Sequence, residues 1–210
     1  MTLSQHPSDE TLGAFAAGTL DEGSAFVTGV HIAMCLSCRE AVRMFECIGG
    51  ALILDSHEIP LLSEAAFPAG QSAETGTLEL PVKRAQGAPH EQVLGLYKQG
   101  PWKWQGFGIQ SADVDLPAEG GVRVFLLKAA AGSRMPLHTH TGTELTLVLK
   151  GSFSHELGYF GPGDFEEADD VINHRPSVGK QSECICLVAM SGRLKLQGLA
   201  GRILQPFVRI

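Results

Sequence analysis

Residues 132–151 combine three potential metal ligands with a glycine at each end. The fixed positions of this run are Gly132, His138, His140, Glu144 and Gly151. Two histidines one residue apart on a β-strand point to the same side of it. A carboxylate from the next strand, after a tight turn at residues 141–143, adds an oxygen ligand to the two nitrogens. The run therefore predicts a β-hairpin that carries a divalent metal ion, with the glycines at its bounding turns.

The C-terminal part of the chain is rich in short β-forming segments. Gly and Pro turns separate them, and they fall at residues 93–97, 122–127, 144–149 and 184–188. Many short strands at even spacing indicate a β-sandwich or a barrel. In this setting the ligand spacing resembles the signature of the metal cupins, which implies a double-stranded β-helix, or jelly-roll barrel. We assign this domain to residues 86–210.

The second half of the cupin signature departs from its common form. Gly161, Gly163 and Asp164 are present, but Glu166 stands where a histidine is usual. A fourth ligand has to come from a later strand, and His174, after an acidic insertion, is the candidate. We expect zinc in this site, although iron, manganese and nickel accept the same ligand types.

The first third of the chain contains a second set of potential ligands, which includes sulfur. His31, Cys35 and Cys38 lie close in sequence, and residues four apart share one face of a helix. Three ligands leave a tetrahedral zinc ion one short, and His6 is the nearest unassigned candidate. Four nitrogen and sulfur ligands are typical of a closed structural zinc site. The opposing interpretation is that His31 lies on a helix surface and that both cysteines are small core residues.

Helix signals surround this second set of ligands. Ser8 can cap a first helix, residues 19–22 form a capping box for a second, and residues 37–40 form one for a third. The last box predicts a helix break between the two cysteines. One side of the third helix is expected to be buried, through Val42, Phe45, Ile48 and Leu52.

The remaining sequence before the cupin completes the predicted architecture. A fourth short helix is predicted at residues 56–67 and a linker at residues 70–87, which are polar and small. With 44% apolar residues, each half of the chain can bury a core. We therefore predict an α+β multidomain protein, in which residues 1–85 form a small helical bundle held by zinc.

The net charge of −7 lies entirely in the first domain. Residues 1–85 hold eleven acidic and four basic residues, whereas residues 86–210 hold twelve of each. Acidic surface repels nucleic acid, because DNA affinity comes largely from neutralising phosphates with Lys and Arg. The same surface attracts a basic protein partner. A DNA-binding zinc module is therefore excluded, and direct nucleic-acid binding is not expected.

The cysteine count and the N-terminal sequence indicate the cellular compartment of the protein. An odd cysteine count with a Cys-x-x-Cys favours metal or redox chemistry over structural disulfides. Without a leader or an apolar run long enough to span a bilayer, we expect a cytoplasmic protein with no membrane contact. Cys184 and Cys186 are two residues apart and face the same side of a strand. They are interpreted either as a redox-sensitive pair or as small core residues. The remaining histidines, His57, His90 and His155, are interpreted as surface residues.

The ligands His6, His31, Cys35 and Cys38, in a short acidic helical domain, resemble the zinc-binding anti-sigma domain. With a cupin after it, the whole chain is similar to the ChrR family of two-domain anti-sigma factors. The resemblance implies a helical domain that holds an extracytoplasmic-function-type sigma factor inactive in a one-to-one complex. It also implies a cupin that senses oxidative stress, as singlet oxygen or organic peroxide, and His174 as a cupin ligand.

The alternative function is that of a cupin metalloenzyme. This would be a dioxygenase or an acetylacetone-cleaving oxygenase, with the helical zinc domain as an accessory. Catalysis by a metal needs an open coordination position, and four protein ligands leave a zinc ion closed. We therefore expect a regulator rather than an enzyme.

Overall fold

The computed structural model describes residues 3–55, 95, 97–116 and 121–198. The predicted helix at residues 56–67, the linker at residues 70–87 and most of the strand at residues 93–97 lie outside these ranges. The predicted boundary between the two domains lies outside them as well.

Three helices open the described chain: α1 (Asp9–Ala16), α2 (Glu22–Met34) and α3 (Leu36–Asp55). Ser8 caps α1 as predicted, and its hydroxyl accepts from the backbone N–H of Thr11. The predicted cap at Thr19 is wrong, because Asp21 caps α2 and accepts from Ser24 at 2.8 Å. The Thr19 hydroxyl instead donates to the carbonyl of Ala14 near the end of α1.

The break between α2 and α3 lies at Cys35. It comes earlier in the chain than the capping box at residues 37–40 predicted. Cys35 is extended, with φ −112° and ψ 112°, and α3 begins at the next residue. The guanidinium of Arg39 donates to the carbonyls of Ile32 and Ala33 at the end of α2. Carbonyls at a helix end lack partners within the helix, so Arg39 stabilises the sharp change of direction.

The helical core is small and covers only the first half of α3. It contains the buried residues Leu12, Ile32, Cys35, Cys38 and Val42. Phe45 packs against this core, but Ile48 is 50% exposed and Leu52 is 67% exposed. The prediction that both are buried is wrong, because α1 has only eight residues and packs on the early turns of α3.

The C-terminal part folds into antiparallel sheets. Its strands are β1 (Lys103–Gly106), β2 (Ile109–Asp113), β3 (Arg123–Ala129), β4 (His138–His140), β5 (Glu144–Lys150), β6 (Phe153–His155), β7 (Gly158–Phe160), β8 (Phe165–Ala168), β9 (Ser177–Val178), β10 (Cys184–Met190) and β11 (Leu194–Leu196). A six-stranded sheet has the order β1-β2-β3-β10-β5-β8. Smaller sheets, β7-β6-β9 and β11-β4, complete the fold, which confirms the predicted cupin-like domain.

Both faces of the large sheet are covered. On the inner face, Phe125, Val148 and Val188 pack against Phe153 and Phe160 of the β7-β6-β9 sheet. On the outer face, Leu126, Leu147 and Leu187 form a core with Val27 and Val30 of α2. The helical part and the cupin therefore share one packed layer. Strands buried on both faces have nearly continuous apolar sequences.

The length and hydropathy of the helices were compared with those of a membrane-spanning helix. Within the described ranges, no single helix has both the length and the hydropathy needed to cross a bilayer. Only α2 and α3 together pass that test, and the pair is bent by 119° at its break.

Candidate metal centres

The helical part gathers one nitrogen and sulfur cluster, which we name the sulfur cluster. Its members are His6, His31, Cys35 and Cys38, whose donor atoms all lie within 4.8 Å of one another. His31 Nε2 lies 3.3 Å from Cys38 Sγ. His6 Nδ1 lies 3.4 Å from Cys35 Sγ and 3.3 Å from Cys38 Sγ. The last turn of α2, the break at Cys35 and the first turn of α3 thus meet the N-terminal segment of residues 3–8.

These distances fit a tetrahedral zinc ion. Zn–S bonds of about 2.3 Å and Zn–N bonds of about 2.0 Å place sulfur and nitrogen ligands roughly 3.5 Å apart. The Nδ1–H of His31 donates to the carbonyl oxygen of Gly163 at 2.9 Å. That bond leaves the Nε2 lone pair for a metal, and such outer partners fix the orientation of histidine ligands. His6 is exposed whereas the other three residues are buried, so the cluster is open on one side.

The residues of the sulfur cluster differ in their protonation. Burial lowers the pKa of His31 to about 4, so its imidazole is neutral at neutral pH. Burial, together with the hydrogen bond to Cys35, raises the pKa of Cys38 to about 12. Burial opposes the shift of Cys35, but hydrogen bonds with Ser37 and Cys38 lower its pKa. A metal ion would displace the thiol proton of Cys38, since metal binding and thiol deprotonation are linked.

The cupin gathers a second group, the histidine cluster of His138, His140 and His174. His138 and His140 lie on β4, and His174 pairs with His138 through two backbone hydrogen bonds of 3.1 Å. The Nε2 atom of His174 lies 2.9 Å from that of His138 and 3.4 Å from that of His140. All three side chains are buried, with 1–2% exposure. His174 thus lies together with the other two histidines, and its role as a metal ligand stays a prediction.

Outer hydrogen bonds turn the Nε2 atoms of this cluster inward. The Nδ1–H of His138 donates to the carbonyl of Pro136, and that of His174 donates to Glu166. Within the described residues the buried Nδ1 of His140 has no hydrogen-bond partner. Burial lowers the pKa values of His138 and His140 to about 4. Burial opposes the charged form of His174, but its hydrogen bond to Glu166 raises its pKa. Converging Nε2 atoms, two of them on neutral imidazoles, suit a divalent metal with histidine ligands.

Glu144 lies beside the histidine cluster rather than within it. Its carboxylate oxygen lies 3.4 Å from Nδ1 of His140, the ring nitrogen that does not contact His174. Its other oxygen accepts from the hydroxyl of Thr146 at 3.0 Å. Burial raises the pKa of Glu144. A role as an oxygen ligand requires its side chain to turn toward the Nε2 atoms and therefore stays a prediction.

Two residues behind His174 escaped the sequence reasoning. Glu166 accepts from His155 at 2.6 Å and from His174 at 3.1 Å, on the same oxygen. Burial opposes ionisation, but these two hydrogen bonds lower the pKa of Glu166 to about 2. The interpretation of His155 as a surface residue is wrong, because its side chain has no exposed surface. His57 and His90 lie outside the described residues.

The amino-acid sequence indicates a position beside the metal site for Glu166 but not for His155. Glu166 occupies the position at which the cupin signature usually has a histidine, so its place beside the site could have been inferred. His155 follows no ligand spacing, and its contact with Glu166 arises only when β6 and β8 are brought together by the fold.

A narrow cavity of about 50 Å³ adjoins the histidine cluster. His138, Glu144 and His174 line it together with Cys186. Cys184 and Cys186 are buried on β10, and their Sγ atoms lie 3.7 Å apart. The predicted common orientation of the two thiols is confirmed, and both are free cysteines.

Comparison with known proteins identifies the family. Residues 90–192 match the family described as the ChrR cupin-like domain. Over 216 residues, covering 100% of both chains, the sequence is 32% identical to the anti-sigma-E factor ChrR of Cereibacter sphaeroides. The crystal structure of Rhodobacter sphaeroides SigE in complex with the anti-sigma ChrR matches with a TM-score of 0.68 and 32% identity, over 90% of this chain and 100% of that chain. Because this similarity spans the full length of both chains, the protein belongs to the ChrR family of anti-sigma factors.

Proposed function

We propose that this protein is an anti-sigma factor that sequesters an extracytoplasmic-function-type sigma factor and releases it under oxidative stress. The observation that carries the proposal is the similarity over 100% of both chains to an anti-sigma factor, one whose family is solved bound to a sigma factor. The helical part, within residues 1–85, delivers the output, and the cupin, within residues 86–210, senses the signal. The complex is a one-to-one heterodimer in the cytoplasm, where sigma factors meet RNA polymerase.

The exposed face of α3 suits such a partner. Met44, Ile48 and Leu52 are spaced by four residues and therefore form one stripe along the helix. They are 56%, 50% and 67% exposed. Contiguous exposed apolar surface on a protein marks an interaction site. The acidic excess of residues 1–85 complements a basic DNA-binding surface of the sigma factor.

Zinc is the metal we propose for the sulfur cluster, because two sulfur and two nitrogen donors are its usual structural set. We also propose zinc in the histidine cluster, with Glu144 as a fourth ligand, and iron, manganese and nickel as alternatives. In the sulfur cluster the metal joins three pieces of chain and stabilises the helical fold. In the cupin, the metal keeps the buried imidazoles together beside the cavity.

Oxidant sensing belongs to the inside of the cupin. The cavity of about 50 Å³ beside the histidine cluster has room for a molecule of the size of water or dioxygen. Cys186 lines that cavity, and its sulfur lies 3.7 Å from that of Cys184. The two thiols can therefore be oxidised as a pair, since residues two apart on a strand form a strained and labile disulfide. Loss of the metal or oxidation of this pair would change the cupin core.

The same cavity argues against the enzyme alternative. Sites for organic ligands usually enclose about 300–1,000 Å³, whereas this cavity has about 50 Å³. Metal analysis distinguishes the alternatives: zinc in both clusters favours the regulator, whereas one iron ion that consumes oxygen with a diketone favours the oxygenase.

The test is co-purification of the full chain with its partner from the source organism. We expect a sigma factor in equal amount with the protein, and we expect the double variant Ile48→Asp, Leu52→Asp to lose it. Leu157→Asp is the control, because Leu157 is 61% exposed on the cupin and lies outside the stripe. Recovery of the protein without a sigma factor, or equal recovery with the stripe variant, would contradict the proposal.

A further inference from the structure

Residues 163–167, which we name the bridging segment, contact the surroundings of both candidate metal centres. They comprise the end of a turn and the first three residues of β8. The segment pairs with β5, with Leu147 opposite Phe165 and Thr146 opposite Glu166. This ladder, at the edge of the six-stranded sheet, restrains the backbone of the segment along one side.

On the helical side, the segment holds the sulfur cluster through three separate contacts. The carbonyl of Gly163 accepts from Nδ1 of His31 at 2.9 Å. One carboxylate oxygen of Asp164 accepts the backbone N–H groups of Ser4 at 2.8 Å and Gln5 at 3.1 Å, directly before His6. The backbone N–H of Phe165 donates to the carbonyl of Gln5 at 3.1 Å. Both histidines of the sulfur cluster are therefore positioned by the bridging segment.

On the cupin side, the next residue of the segment positions a histidine of the other cluster. Successive side chains of a strand point to opposite faces. Phe165 accordingly packs in the core shared with α2, with its ring 5.5 Å from that of His31. Glu166 points inward and accepts from Nδ1 of His174 at 3.1 Å. Two adjacent residues thus connect a ring of the sulfur cluster with a ring of the histidine cluster.

We propose that the bridging segment couples the two metal centres, so that metal binding in the cupin strengthens metal binding in the sulfur cluster. The inference rests on the proposed function, because it takes both clusters as metal sites. A metal on His174 fixes that ring, and the ring fixes Glu166 and with it the start of β8. The start of β8 in turn holds His31 and the residues next to His6. Binding linkage is reciprocal, so each metal raises the affinity of the other site by one common factor.

Cobalt(II) gives a readout that is specific to one cluster, because thiolate-to-cobalt charge-transfer absorption arises only where cysteine is a ligand. Full-length apo-protein is titrated with cobalt in the wild type and in His140→Ala, which disables the histidine cluster. We expect His140→Ala to weaken cobalt binding by the sulfur cluster about tenfold, within the usual range of coupling factors. Equal affinities in the two proteins would overturn the proposal.

The role of the bridging segment is tested by a double-mutant cycle. In the Glu166→Ala background, which removes the contact between the segment and His174, the effect of His140→Ala on the sulfur cluster should fall below about twofold. Asp113→Ala is the matched control, because the side chain of Asp113 is 44% exposed and pairs with Lys103 and Arg123 on the surface. That background should keep the full effect. An undiminished effect in Glu166→Ala would show that coupling does not pass through the segment and would overturn the proposal.

Reciprocity supplies a measurement that does not depend on the folding of Glu166→Ala. Cys38→Ser should weaken cobalt binding by the histidine cluster, in competition with a chromophoric chelator, by the factor that His140→Ala causes in the sulfur cluster. If the wild type gives no thiolate-to-cobalt band or binds only one ion, the proposed metal sites fail and the coupling fails with them. If two ions bind independently, only the coupling fails.

Discussion

At the scale of single residues, the two glycines of the ligand run have different tasks. Both have positive φ, 71° for Gly132 and 72° for Gly151, a region that side chains rarely adopt. A Cβ on Gly151 would collide with the carbonyl oxygen of Glu183 and the backbone of Cys184. A Cβ on Gly132 would meet only the flexible side chain of Lys180, at 4.0 Å. Only Gly151 is thus required by packing as well as by backbone conformation.

We expect Gly151→Ala to reduce the free energy of unfolding by at least about 3 kcal/mol, because overpacking adds to the left-handed backbone cost. Gly132→Ala, which carries the backbone cost alone, should reduce it by about 1–2 kcal/mol. Urea unfolding of the two full-length variants measures the difference. Equal losses would mean that the turn at Gly151 relaxes away from β10.

The residue scale also marks the limit of the sequence prediction. Spacing predicted that His138 and His140 share a site, and the resemblance to ChrR proteins implied His174 as a further ligand. The structure brings the Nε2 atoms of His138 and His140 within 3.4 Å of that of His174. The spacing could not predict the hydrogen bond from His155 to Glu166, because that contact depends on how separate strands pack. Ligands carried on one strand leave a sequence pattern, whereas the groups that orient them come from distant parts of the chain.

At the scale of elements, α2 belongs to two cores at once. Its sequence predicted a helix with an apolar side, but nothing in that pattern identifies the surface on which the side packs. In the structure, Val27 and Val30 pack with Leu147 and Leu187 of the large sheet. Ile32, on another side of α2, belongs to the helical core. Periodicity therefore predicted the helix, while its position on the cupin is a property of the tertiary fold.

We expect Val27→Ala to destabilise the full chain by about 2–3 kcal/mol, since it removes fully buried methyl groups from this shared core. Val27 has 0% exposure, so water cannot fill the space without cost. Val171→Ala, at a position with 78% exposure, should change stability by less than about 0.5 kcal/mol. Thermal or urea unfolding of both variants provides the comparison. A cost at Val27 no larger than that at Val171 would contradict the packing of α2 on the sheet.

At the scale of the whole molecule, the two parts differ in how far packing alone can stabilise them. The helical core contains five buried residues, and α1 has eight residues, a length at which an isolated helix is marginal in water. The sheets carry two larger buried clusters. Structural zinc supplies roughly 10–16 kcal/mol in small domains. We therefore predict that the helical part depends on a metal in the sulfur cluster, whereas the sheets do not.

Removal of metal by a strong chelator should accordingly reduce the helical signal in far-ultraviolet circular dichroism while the β-sheet signal persists. Part of α2 should remain helical, because Val27 and Val30 stay packed on the sheet. Cys35→Ser is the control: its helical signal should be low before chelation and should change little afterwards, since the sulfur cluster has already lost a ligand. A helical signal unaffected by chelation in the wild type would mean that residues 3–55 fold without metal, and the sulfur cluster would then be a binding site rather than the support of the helical part.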